Sequence, residues 1–155
     1  MVDNNSVQIV TGEKHISIEK DGAKVGEIVF DPDDILFAQK FYRLYANITG
    51  KQNEYQQKAE QVEKVDALDD HGVPINAADR FALLVEVCDY MRMQIDTLFG
   101  DGTCKMVFGE TQKIELFVQF MNGMKKYIQP SRDKKIERYV NPAARPKRAK
   151  HTKNG

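Results

Sequence analysis

Cysteine is scarce in this chain. Two of its 155 residues, Cys88 and Cys104, carry thiols, too few for the disulfide framework of a small secreted domain. Cys88 falls on the apolar stripe of a helical segment and reads as a buried core thiol. Cys104 has no second cysteine or histidine at ligand spacing, which argues against zinc. Long apolar runs are missing as well: no stretch approaches the ~20 residues needed to span a bilayer. The opening "MVDNNSVQIV" has neither the basic region nor the apolar run of a signal peptide. A cytoplasmic protein without membrane association is expected.

Catalytic and cofactor signatures are also absent. The histidines, His15, His71 and His151, are scattered over a strand, a loop and the tail, so no metal or triad grouping is indicated. There is no nucleophile motif and no pair of carboxylates placed by its flanking pattern. Asp66, Asp69 and Asp70 in "DALDD" read as a solvated loop in preference to a cation site. The expectation is a non-enzymatic protein with no catalytic residue, cofactor or metal.

What is present is a chain long enough for one domain with a real core. Hydrophobic residues make up 41% and charged residues 30%, a globular part with polar segments. The formal net charge is zero but unevenly spread. After residue 130 the basic residues are Arg132, Lys134, Lys135, Arg138, Arg145, Lys147, Arg148, Lys150 and Lys153, opposed only by Asp133 and Glu137. The remainder of the chain is acidic by the same margin.

The hydrophobic pattern gives an α+β reading, mainly α. Residues 7–11 are rich in β-branched side chains, and "HISIEKDGAKVGEIVF" alternates on either side of Asp21 and Gly22, a hairpin signal. A two- or three-stranded β element over residues 7–30 is expected, packed on helices because a lone hairpin is marginal. Asp31 can cap a first helix, with Pro32, Asp33 and Asp34 in its first turn. Its stripe reads Ile35, Ala38, Phe41, Tyr42, Tyr45 and Ile48. Gly50 is a place for that helix to end or loosen. The strong helix formers beyond it make either an extension, to about residue 64, or a separate helix.

A loop with Gly72 and Pro74 follows. Asn76 can cap a helix over residues 77–99, striped by Phe81, Leu84, Val85, Cys88, Met91, Ile95 and Leu98. Thr111 can cap a third, over residues 111–139, striped by Ile114, Phe117, Val118, Met121, Met124, Tyr127 and Ile128. Pro130 is expected to kink or stop it. The organisation is thus one α+β domain over residues 1–140, with three or four helices. Residues 141–155 have no apolar side chain other than those of alanine and proline and are expected to form a disordered basic tail.

"FGDGTCKMVFGE", residues 99–110, joins the second and third long helices. Its glycine spacing matches neither phosphate-loop pattern, and Asp101 alone cannot make a calcium loop. Read as a corner, every position has a reason. Gly100 ends a helix, Asp101 and Gly102 make a turn, and Gly109 lets the chain enter the next helix. Phe99 and Phe108 are expected to be mostly buried, pinning the loop.

Two binding surfaces remain as candidates. Met91, Phe108, Phe117, Phe120, Met121 and Met124 form an adaptable apolar set for a protein partner, although core packing is the commoner use of such residues. Arg145, Lys147, Arg148 and Lys150 could meet nucleic-acid phosphates or an acidic partner. No aromatics are interleaved with them for base stacking, so nucleic acid is the lesser reading.

"IDTLFGDGTCKMVFGE", the aromatic-rich "IELFVQFMNGMKKYI" after it, and the closing "YVNPAARPKR" together resemble a family of small proteins of phages and prophages of Gram-positive bacteria. These are the tail assembly chaperones, or tail-module proteins, and the likeness spans about residues 77–148. It implies a non-enzymatic role in the host cell cytoplasm. The implied partner is the helical tape measure protein or another tail protein, with self-association also compatible. Such a chaperone keeps apolar helical segments soluble, by helix-in-groove docking, until the tail tube forms.

Overall fold

The computed structural model describes residues 5–140, with side-chain environments through residue 128. The chain is α+β and mainly helical. A β-hairpin of β1 (Lys14–Lys20) and β2 (Ala23–Phe30) precedes four helices: α1 (Ile35–Glu63), α2 (Ala77–Phe99), α3 (Thr103–Phe108) and α4 (Ile114–Val140). The expected basic tail, with Arg145, Lys147, Arg148 and Lys150, lies outside the described residues.

The hairpin forms where the Asp-Gly pair places it. Asp21 and Gly22 both have positive φ, 53° and 85°, the two-residue turn whose twist matches antiparallel strands. Register runs from Lys20 opposite Ala23 out to Lys14 opposite Phe30, with a bulge between Ile18 and Glu19. One face points inward: Ile28 and Phe30 are buried, and Ile16 and Ile18 pack against the same core. The sheet has two strands. Residues 7–11, expected within the β element, form no strand, and Val7, Ile9 and Val10 are exposed.

α1 begins one turn later than Asp31 would set it. Asp34 is the cap, and its carboxylate accepts from the Leu36 N–H at 2.9 Å. Asp31 instead accepts from Asp33 N–H in the preceding turn. The inward stripe is also rotated from the expected one. Phe37, Phe41 and Leu44 are buried, with Ile48 packed against them, whereas Ile35, Tyr42 and Tyr45 are exposed. The helix continues through Gly50 to Glu63. α4 likewise continues past Pro130 to Val140.

α2 returns antiparallel to α1. Asn47 Nδ2 donates to the buried Gln94 at 3.2 Å, Tyr55 meets Tyr90 edge to face, and Arg80 pairs with Glu63. Asn76 sits at the cap position of α2, but its side chain does not cap the helix. It donates to the Val62 carbonyl, at the end of α1.

The core lies at the end where the hairpin, the start of α1, the end of α2, α3 and α4 converge. An aromatic chain runs through it. Phe37 stacks on Phe30, Phe30 and Phe120 both meet Phe99 edge to face, and Phe108 meets Phe120 and Phe117 in the same way. Such pairs add about 0.5–1.5 kcal/mol each beyond the area they bury.

Candidate functional site

The glycine-rich corner between α2 and α4 contains a six-residue helix, α3, in place of the open turn expected there. Four of its residues, Thr103, Cys104, Val107 and Phe108, are buried. Phe108 is sealed in the core and Phe99 is half-buried, packed against it. Gly109 takes φ 61°, ψ −133°, a region that disfavours any side chain, and so reverses the chain into α4.

Two side chains of α2 fasten this corner. The Arg92 guanidinium donates to the Gly109 carbonyl at 2.9 Å, to the Thr111 carbonyl at 2.7 Å and to Gln112 Oε1 at 2.7 Å. It also lies over the Phe108 and Phe117 rings, 6.0 and 5.8 Å from their centroids, within cation–π range. One turn on, Asp96 accepts the Cys104 N–H at 2.8 Å. Gln112 in turn donates to Asp89 at 2.7 Å. Neither Arg92 nor Asp96 stood out in the sequence. With Asp89 they form a polar stripe at positions i, i+3 and i+7, which reads as a solvated helix face until the chain is seen to fold back over it.

The corner's chemistry is that of a latch. Burial, reinforced by the Asp96 carboxylate, pushes the Cys104 thiol up to about 12, so it stays protonated and weakly nucleophilic at neutral pH. Burial also raises Cys88. Among the described residues no group of three or more His, Cys, Asp or Glu is placed to hold a metal. In the 65–76 loop Asp69 is engaged by backbone, accepting from the His71 and Val73 N–H groups.

The apolar residues expected to meet a partner are placed in or against the core. Phe108, Phe117, Phe120 and Met124 are buried there, and Met91 and Met121 are partly buried against them. The expectation of an accessible surface at the four buried residues is thereby corrected: packing in the core leaves them little accessible area. The exposed apolar surface lies elsewhere. On α2, Phe81 is 67% exposed, Leu84 49% and Val85 48%, a patch at i, i+3 and i+4 on the half of the helix that the core does not reach.

A groove of about 330 Å³ lies between β1 and α4. Its β1 wall is five consecutive residues, 16–20, and Phe120, Gly123, Met124 and Tyr127 help form its α4 wall. Consecutive strand residues point to opposite faces, so a groove touching all five runs along the strand's edge. Among the described residues no helix is long and apolar enough to cross a membrane.

These features define a class: a hairpin-capped helical protein whose corner is structural and which exposes an apolar patch on α2. Residues 24–154 match the model of a family of unknown function, DUF6673, and the chain belongs to that family. No curated protein and no solved structure matches it.

Proposed function

We propose that this chain is a tail morphogenesis protein, a chaperone that binds the helical tape measure protein during phage tail assembly. The resemblance in residues 77–148 suggests the partner, and the exposed patch of Phe81, Leu84 and Val85 is the observation that carries the mode of binding. An apolar patch at helical spacing on a surface helix is suited to covering the apolar stripe of another helix. The role is non-enzymatic, with contact residues on the outer face of α2 in place of the core aromatics.

Co-expression with the tape measure protein tests the reading. A complex that keeps the tape measure soluble is expected. The triple variant Phe81→Ser, Leu84→Gln, Val85→Thr is expected to lose that complex at an unchanged melting temperature, because these side chains contribute little to the core. A wild-type chain that neither binds nor solubilises the tape measure protein would defeat the proposal.

The competing reading, a nucleic-acid-binding accessory protein, rests on the excess of basic residues after residue 130. It requires salt-dependent DNA or RNA binding that disappears when residues 141–155 are removed.

A further inference from the structure

The strand edge along the groove and the segment before β1 are complementary. β1 pairs with β2 on one side only. Its other edge, open to the β1–α4 groove, carries the unpaired backbone groups that make any edge strand a template for pairing. Below that edge lie apolar side chains, among them Val107, Phe120 and Met124. Residues 7–11, "VQIVT", are β-branched at four of five positions and uncharged. Yet Val7, Ile9 and Val10 are 82%, 80% and 94% exposed. The chain thus leaves open both an apolar strand-forming segment and an apolar-floored strand edge.

The segment does not fold back onto its own β1. A tight hairpin there would be closed by a backbone hydrogen bond between Thr11 and Lys14, and among the described residues no such bond is present. Gly12 instead takes φ 75°, and the Glu13 N–H turns onto the Thr11 hydroxyl at 3.4 Å.

We infer that two copies of this chain exchange these segments, residues 7–11 of each lying as an antiparallel third strand along the β1 edge of the other. The pattern selects a register. With Thr11 opposite Lys14 of the other copy, Ile9 falls opposite Ile16 and Val7 opposite Ile18. Directly opposed residues share a face, so Ile9 and Val7 join the inward-facing isoleucines over the groove. Gln8 falls opposite Ser17, and Val10 opposite His15, on the outer face. A one-residue slip would turn Gln8 inward and Ile9 outward. The apolar run ends at Val7, opposite Ile18, where the bulge between Ile18 and Glu19 ends the regular edge. The exchange is reciprocal, so a closed two-fold dimer results. It leaves the α2 patch free and is independent of the proposed chaperone role.

Light scattering on the full chain is expected to give twice the chain mass. Ile9→Lys, at an exposed position, is expected to halve it with an unchanged helical circular dichroism signal. Gly123→Leu tests the groove itself. A Cβ at Gly123 would meet no atom within 4 Å, and Gly123 lines the groove, so this variant extends into the groove, keeps its helices and is also expected to be monomeric. A chain carrying only Ile9→Cys, mixed with one carrying only Ile16→Cys, is expected to form a disulfide-linked heterodimer. A monomeric wild type, or a dimer that persists in both Ile9→Lys and Gly123→Leu, overturns the inference. So does a double Ile9→Cys, Ile16→Cys chain that closes its disulfide only within itself.

Discussion

At the scale of single residues, the corner's stability is concentrated in few side chains. Phe108 has two aromatic neighbours, its ring 4.8 Å from that of Phe117 and 5.6 Å from that of Phe120. Truncation to alanine is expected to cost about 3–5 kcal/mol, the usual range for a buried phenylalanine, measurable by thermal or denaturant unfolding. Arg92 acts differently. Its loss leaves two backbone carbonyls without their charged donor, so Arg92→Ala is expected to cost about 1.5–3 kcal/mol. Arg92→Lys should recover little, because one ammonium cannot reproduce a planar fork that reaches three acceptors and lies against two rings. A lysine variant as stable as the wild type would show that charge alone suffices. Phe108 and Gly109 were legible in the sequence, since an aromatic beside a glycine at the end of an apolar run marks a buried turn. Arg92 and Asp96 were not, because the groups they bind come from 8 to 20 residues away and nothing local announces that return.

Cys104 adds a pH dependence whose sign follows from its surroundings. Its folded pKa is raised, chiefly by burial, from 9.0 to about 12. The unfolded chain therefore releases this proton first as pH climbs. The stability tied to the protonated thiol is fully present below about pH 9 and is lost progressively toward pH 12. The melting-temperature gap between wild type and Cys104→Ala is expected to narrow as pH is raised from 8 through 11, about the span in which the unfolded thiol ionises. A gap constant across that range would place the thiol's ionisation in the same range in both states. Native Cys104 is also expected to react with a disulfide reagent only as fast as the protein unfolds.

At the scale of elements, types and order were readable, whereas the phase of α1 and the starts of α1 and α4 were not. The hairpin was legible because Asp21 and Gly22 fix both its turn and its register. α1 was misphased because Ile35 is as apolar as Phe37 and Leu44 and the largely apolar rings of Tyr42 and Tyr45 extend its stripe, and periodicity alone cannot choose between two neighbouring stripes. The choice is made by Phe30 and Phe99, which meet Phe37 from β2 and α2. Gly50 did not end α1, since a helical glycine costs only about 1 kcal/mol and α2 supplies contacts along the helix on both sides of it. The element-level consequence of close packing is clearest at Gly26. A Cβ there would run into the Met106 side chain of α3. Gly26→Ala is expected to destabilise the fold by about 1–3 kcal/mol through overpacking. Pairing it with Met106→Ala should restore part of that loss, since the space the new methyl needs is then open. Denaturant midpoints of the single and double variants measure the coupling; strict additivity would mean that Met106 does not hold β2 against α3.

At the scale of the whole molecule, burial is polarised. On α1 the last buried residue is Leu44, and on α2 the first beyond the cap is Cys88. Between them, residues 51–63 and 77–87 form an arm held by half-buried contacts such as Tyr55 on Tyr90 and by surface ion pairs. Lys58 bridges Glu54 and Glu86, and Arg80 pairs with Glu63. Pairs this exposed contribute little, because water and salt screen them, far less than the aromatic core at the other end. The arm is therefore expected to open without the core. Hydrogen exchange should show the amides of residues 37–48 and 90–98 protected to near the global unfolding free energy, and those of residues 54–62 and 80–86 exchanging through a lower-energy opening. Salt should speed exchange in the arm by screening its ion pairs and leave the core amides nearly unchanged. The patch of Phe81, Leu84 and Val85 lies on this less stable part, where a helical partner can remodel the surface at little cost to the fold. If that patch is the docking site, adding the partner should slow exchange in the arm selectively. Uniform protection along α1 and α2 in the free protein would mean that the molecule unfolds as one unit, and that its apolar face is as rigid as its core.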